Sequence, residues 1–412
     1  MKRNKILKKL LSVSLAAVLS LGGMVTAFAA DPSPDDNVKI LKELKMDESL
    51  EIPTGGLAFS FEFTAKEYNG VTATSSIVNG EAMPTVGPVG ITVPANTSGT
   101  NDNGMDSYKV ESDKIFKDVV WEAPGVYTYT VEETAGTTST VPSNATIDYS
   151  TTSYEVTAYV KNDGAGGFVV AQIGVRTPGT TGTDGKVNVT PGLTTNEFAF
   201  VNEYSESAGG TDPTTDPALK VSKTVTGAYG DQNKYFDFAI DTVASASETA
   251  GTTIYKAYVI NTASGSNTVV DLTDGKNGIT ATGTDTYGAY KEVLAGDTLS
   301  LKLKHGQHVA FVGMGAGSKY DATETAATNY IPSISVIVNG GTATAVNALT
   351  TGEQTIGAAA NSAAYTNAYN DGAITPTGIT TNDIPFIGMI VLAMGALVAF
   401  VVVKTRKKAG QN

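Results

Sequence analysis

The sequence predicts an all-β protein built from two β-sandwiches in tandem, and three observations carry that prediction. Charged residues make up only 17% of the chain, against roughly 25% in an average soluble protein, while Gly (44 residues) and Thr, Ala and Val are abundant and aromatic residues are retained at 8%. Strict apolar alternation recurs in Tyr127-Thr128-Tyr129-Thr130-Val131, in Tyr154 to Val160 and in Thr298 to Leu303. Turn signals such as Asn162-Asp163-Gly164, Asp274-Gly275, Asn277-Gly278 and Asn339-Gly340-Gly341 separate the strands, and no long stretch of the body shows a 3.6-residue apolar period.

Read in chain order, residues 1–29 have the layout of a secretory signal peptide. Lys2, Arg3, Lys5, Lys8 and Lys9 form a positive start, Leu10 to Leu21 an apolar run, and Ala27-Phe28-Ala29 a small-residue cleavage site. Residues 30–204 are long enough for one sandwich. The polar stretch 205–217, with Gly209-Gly210 and Asp212-Pro213-Thr214-Thr215-Asp216-Pro217, reads as a linker. Residues 218–373 then make the second sandwich. Residues 374–378 contain Pro376-Thr377-Gly378, and 384–403 is an uncharged apolar run, long enough to cross a membrane core of roughly 30 Å. The tail 404–412 is basic, which predicts that this end stays inside.

The charge distribution narrows the function classes. The whole chain carries −13, but its basic residues concentrate at the ends, so residues 31–378 hold nineteen Lys and Arg against forty acids. A nucleic-acid partner is therefore excluded, because phosphate binding needs a concentration of cations. With two His and no Cys, neither a metal site, a thiol nucleophile nor a disulfide is expected. His305 and His308 have no third ligand beside them in the sequence. Gly313-Met314-Gly315-Ala316-Gly317 imitates a dinucleotide loop but is followed by strand pattern rather than a helix, so it reads as a turn.

Strand parity exposes something less ordinary. Lys42 sits among Val38, Ile40 and Leu44, and Lys223 among Leu219, Val221 and Val225, so alternation turns both lysines toward the core. The same parity turns Glu133 inward with Tyr127, Tyr129 and Val131, and Glu324 inward with Tyr320 and Ala322. Each sandwich ends on a strand carrying an aromatic residue two before an Asn: Phe200 before Asn202, and Tyr365 before Asn367. Lys, Glu and Asn thus occur twice in the same order. Buried lysines demand partners, because an isolated ammonium is very unfavourable in an apolar core.

At these residues the chain resembles the two-domain shaft (backbone, or major) pilins of Gram-positive bacteria. Their sandwiches are Ig-like and related to collagen-adhesin (Cna) B-type modules. The likeness rests on Pro124 to Glu133, Thr151 to Val156, Lys223 to Gly227 and Tyr365-Thr366-Asn367. It implies a spontaneous Lys–Asn isopeptide bond in each domain, Lys42–Asn202 assisted by Glu133 and Lys223–Asn367 assisted by Glu324.

The order Pro-Thr-Gly, apolar span, basic tail resembles a cell-wall sorting signal, which implies cleavage by a pilin-class sortase between Thr377 and Gly378. The same resemblance implies Lys186 as the amine that accepts Thr377 of a neighbouring subunit. Implied partners are further copies of the chain, minor pilins, peptidoglycan and, through tip subunits, host ligands. The implied location is the cell wall and surface after secretion, with a transiently membrane-anchored precursor. No cofactor is implied, and the only chemistry is single-turnover. Two other readings compete: a wall-anchored adhesin or minor pilin using the same domains as a stalk, and a surface hydrolase, for which the sequence offers no nucleophile–base pair.

Overall fold

The computed structural model describes residues 37–370 apart from 74–76, 79–80, 137–140, 181–183 and 263–264. The expected signal peptide, the Pro376-Thr377-Gly378 motif, the apolar span 384–403 and the basic tail lie outside the described residues.

The fold is all-β. In the first sandwich the principal strands are β1 (Lys39–Asp47), β2 (Leu57–Tyr68), β3 (Val89–Val93), β4 (Met105–Lys114), β5 (Gly125–Glu133), β6 (Ala145–Asp148), β7 (Ser153–Asn162), β8 (Phe168–Arg176) and β9 (Ala199–Glu206). One sheet runs β6-β9-β1-β4 with a short edge strand at 100–102. The facing sheet runs β8-β7-β5-β2, with β3 also pairing β2.

In the second sandwich they are β10 (Leu219–Thr226), β11 (Phe236–Val243), β12 (Ile254–Asn261), β13 (Gly288–Leu294), β14 (Thr298–Leu303), β15 (Gln307–Val312), β16 (Lys319–Glu324), β17 (Tyr330–Ile337) and β18 (Ser362–Tyr369). The larger sheet there contains β13-β12-β15-β10-β18-β17 in that order, and the smaller β14-β11-β16. Leu272–Asp274 forms a single 3-10 turn.

Alternation explains the burial. Ile40, Lys42, Leu44 and Met46 of β1 are fully buried, as are Tyr127 and Val131 of β5, whereas Glu132 lies exposed on the other face. β15 is buried at every position, because its Ala310 and Val312 join Tyr258 and Ile260 in a satellite cluster against which Val269 and Tyr290 pack. Each sandwich otherwise has its own core.

One topological feature places the chemistry. The first and last strands of each sandwich lie side by side and parallel: β1 pairs β9 with Lys42 opposite Phe200 and Leu44 opposite Asn202. In the second, β10 pairs β18 with Lys223 opposite Tyr365 and Val225 opposite Asn367. The Asn therefore sits two register positions beyond the Lys in both.

The junction between the sandwiches is built rather than loose. β9 extends to Glu206, inside the stretch read as linker, and residues 207–217 fold back on the second domain, where Gly210 N donates to Asp216 O. The glycine-rich loop 313–317 crosses this junction. Ala208 N donates to Met314 O (3.0 Å), Ala316 N donates to Glu206 O (2.8 Å), and Ala316 packs into the core of the first sandwich. Glu248 anchors the loop by accepting from Gly315 N (2.9 Å) and Ser318 Oγ (2.7 Å). Asp47, at the end of β1, accepts from Ser49 N (3.0 Å) in its own domain and from Ala246 N (3.1 Å) in the other.

Gly317 has φ +93°, and a Cβ there would lie 2.2 Å from Asp47 Cγ. Gly317→Ala is therefore expected to destabilise the junction by on the order of 1–3 kcal/mol, through left-handed backbone strain and displacement of Asp47. Small-angle scattering checks this: the variant should populate bent arrangements, and an unchanged profile would refute the clasp.

Candidate isopeptide sites

The sequence-predicted residues come together as two buried triads. In the first, Lys42 Nζ lies 2.9 Å from Glu133 Oε1 and 3.0 Å from Oε2, and Asn202 Nδ2 donates to the same Oε1 at 2.8 Å. In the second, Lys223 Nζ lies 2.7 Å from Glu324 Oε2, while Asn367 Nδ2 donates to Oε1 at 2.5 Å. The side chains of both Lys–Glu pairs are completely shielded from solvent. Each Glu comes from the opposite sheet, reaching across the core to the first and last strands.

Burial lowers both amines despite their acidic partners: Lys42 and Lys223 are each brought from 10.5 down to about 8 by desolvation, with Glu133 and Glu324 pulling the other way. A neutral, nucleophilic amine is thereby within reach near physiological pH. Aromatic rings not singled out by the sequence reading complete the desolvation. Lys42 Nζ sits 4.5 Å from the centroid of Phe59 and 5.9 Å from that of Phe61. Lys223 Nζ sits 4.3 Å from Phe236 and 5.9 Å from Phe238. The inner Phe of each pair is also the register partner of the Glu, Phe61 opposite Glu133 and Phe238 opposite Glu324. The legible signal was a repeated Phe-x-Phe after each core lysine.

A third Lys–Glu–Asn contact shows what burial contributes. Lys39 Nζ is 3.8 Å from Glu111 Oε2, and Asn196 Nδ2 donates to Glu111 Oε1 at 3.1 Å. There the Lys and Glu side chains are 31% and 15% exposed, and Asn196 Nδ2 also donates to Lys39 O at 2.9 Å. With its amine open to solvent, this cluster is a surface brace between strands.

Lys186 belongs to neither triad. It forms an isolated bridge with Arg176 at the end of β8, is half-buried, and its Nζ is shielded from solvent. Trp121 is in the core, as expected. His305 Nδ1 accepts from Val225 N (3.0 Å), and His308 Nδ1 lies 3.0 Å from Thr262 Oγ1, with burial pushing His308 down to about 4. Both imidazoles thus serve the fold.

Two family models match the chain, one to each sandwich. Residues 38–205 match the FctA model, described as a Spy0128-like isopeptide containing domain. The first sandwich is similar to that isopeptide-containing domain. Its match spans Lys42, Glu133 and Asn202 together. Residues 217–369 match a second model, described as a domain of unknown function (DUF7601), and the same Lys–Glu–Asn geometry is present there.

Among solved structures, the major pilin from Streptococcus pyogenes is 19% identical, with 81% of this chain and 99% of that chain covered at a TM-score of 0.33. The major pilin T3.2 of the same organism is 22% identical, with 81% and 99% covered at a TM-score of 0.32. A search of curated proteins finds no match.

The lowered amines carry a pH consequence. An isopeptide domain that lacks its Asn keeps a free buried lysine, neutral when folded above about pH 8 but protonated when unfolded up to 10.5. The unfolded state then binds more protons in that window, so stability rises with pH between those values and is lost on returning through pH 8. Asn202→Ala should show this rise in denaturant titrations. A chain whose Lys42 has become an amide should lack that contribution.

Proposed function

We propose that this chain is a structural subunit, the major one, of a covalently polymerised surface pilus. Each sandwich is closed by its own Lys–Asn isopeptide bond. The observation that carries this reading is the duplicated, solvent-free Lys–Glu–Asn triad bridging first and last strands.

The chemistry balances within each triad. The Lys ammonium passes one proton to Glu, and its freed lone pair attacks the Asn side-chain carbonyl carbon, forming the C–N bond. Glu hands that proton to the departing nitrogen and takes a second from the attacking one. The old C–N bond breaks, ammonia leaves, and a neutral amide and a protonated Glu remain. Folding supplies the proximity, worth roughly 7–11 kcal/mol of barrier for well-oriented groups. The reaction runs once per domain, so the chain does structural work and turns over no substrate.

Intact mass of the body, residues 31–373, tests this. A mass lower than the sequence by two molecules of ammonia is expected, and a mass equal to the plain sequence would refute both bonds.

Assembly follows from the ends of the chain. A sortase acting between Thr377 and Gly378 would join the Thr377 carbonyl to a neighbour's Lys186, with the last subunit passed to peptidoglycan. Because Lys186 Nζ is shielded in the free subunit, the segment around it must open or be engaged by the sortase before transfer. In the native host, Thr377→Ala and Lys186→Ala should each abolish the ladder of high-mass species on denaturing gels. A ladder that survives Lys186→Ala moves the acceptor elsewhere, and a wild type without any ladder favours a monomeric adhesin or minor pilin.

A further inference from the structure

The two triads differ at one atom. In the first domain, Asn202 Oδ1 accepts a hydrogen bond from the backbone N–H of Ser150 at 2.8 Å. In the second, Asn367 Oδ1 is buried with no partner among the described residues. Topology is the cause. β6 pairs β9 through Asp148 opposite Glu203, so the chain leaving β6 passes Asn202 and turns its next amides toward it. In the second domain the strand beside β18 is β17, whose residue opposite Asn367 is Pro332, which has no N–H to give.

We infer that the Ser150 N–H is the oxyanion donor of the first-domain reaction and that it orients the Asn202 amide for it. This rests on the isopeptide reading above and deepens it. A backbone N–H can only donate, so the Asn202 atom facing it must be the oxygen, and this fixes Nδ2 against Glu133. Glu133 Oε1 then touches the attacking nitrogen at 2.9 Å and the leaving nitrogen at 2.8 Å, so one carboxylate oxygen relays protons between them. When Lys42 Nζ bonds to the Asn202 carbonyl carbon, the negative charge that develops on Oδ1 meets a donor already in place. The proton from Nζ reaches Nδ2 through Glu133, ammonia departs, and the carbonyl re-forms. Glu133 is thus released from polarising the carbonyl. Among the described residues the second domain has no such donor, so Glu324 works alone there, with its two oxygens divided between amine and amide.

The step can be timed by synthesising the chain in a short cell-free pulse and quenching samples in acid denaturant. Proteolysis and mass spectrometry then count the Lys42–Asn202 and Lys223–Asn367 cross-linked peptides. Ser150→Pro removes the N–H and should slow the first cross-link by about a hundredfold, the scale for losing one oxyanion donor. The Lys223–Asn367 cross-link serves as an internal clock and should keep its rate. Ser150→Ala retains the N–H and should close at the wild-type rate. Because proline can disturb the loop, an amide-to-ester replacement of the Tyr149–Ser150 bond, which deletes the N–H and little else, should reproduce the slowing.

Wild-type closure in the ester variant overturns the inference, as does equal slowing by Ser150→Ala. A wild type that forms neither cross-link sinks the isopeptide reading itself, a different outcome from either of these.

Discussion

Glu324→Ala should give a chain whose second sandwich is the least stable of any single variant at that site. Two losses combine. Without the acid the Lys223–Asn367 bond does not form, and by analogy with disulfide loops of similar span this forfeits about 5 kcal/mol of chain-entropy stabilisation. In addition, Lys223 remains fully buried with the partner of its ion pair gone, a situation that costs roughly 3–5 kcal/mol when a buried pair is broken from one side.

Asn367→Ala isolates the first loss, because it keeps the Lys223–Glu324 ion pair. For a domain of this size about 5 kcal/mol corresponds to roughly 10–20 °C in melting temperature, so Asn367→Ala should melt lower by that amount and Glu324→Ala about 10 °C lower again. Differential scanning calorimetry supplies the order. If Asn367→Ala melted with the wild type, no cross-link would be contributing. If Glu324→Ala matched Asn367→Ala, the buried ammonium would have found another solution. The double change Lys223→Met with Glu324→Leu should recover the second loss and not the first, since an apolar pair replaces the ion pair without an orphan charge.

Stretching should separate the wild type from Asn202→Ala even more sharply. Force enters the first sandwich through β1 and leaves through β9, and these strands are neighbours in one sheet. With Lys42 joined to Asn202, tension crosses from strand to strand through a covalent bond and the chain between them carries none. Only the short stretches outside the bridges can lengthen. In Asn202→Ala the same pull must shear the hydrogen bonds between the parallel strands β1 and β9, and about 160 residues become extendable, a length gain of roughly 500–600 Å. Single-molecule force spectroscopy reads this as one long extension event in the variant and none in the wild type. A wild type that extended by that length would have no bridge.

Much of this was legible from residue order. Period-2 alternation turned Lys42, Glu133, Lys223 and Glu324 inward, and all four are buried there. The Asn of each closing strand followed from its aromatic neighbour two residues before. The glycine loop 313–317 read as a turn, yet it crosses to the first domain and places Ala316 in that domain's core. Its partners lie far away in sequence, so no local pattern could announce them. Lys39, Glu111 and Asn196 make the opposite point. They have the right residue types in contact, and their exposure and the longer 3.8 Å Lys–Glu distance set them apart from the two buried triads.

The sequence by itself determined the class of fold, the inward face of each core lysine and core acid, and the absence of disulfides. Alternation and residue chemistry are local properties, written every second position. Only the tertiary structure decided which rings desolvate each amine, why the amide of Asn202 faces one way, and why Asn367 lacks the same donor. Those depend on which strand runs beside the last one. Strand neighbours are chosen by the packing of whole sheets, which no local pattern of residues announces.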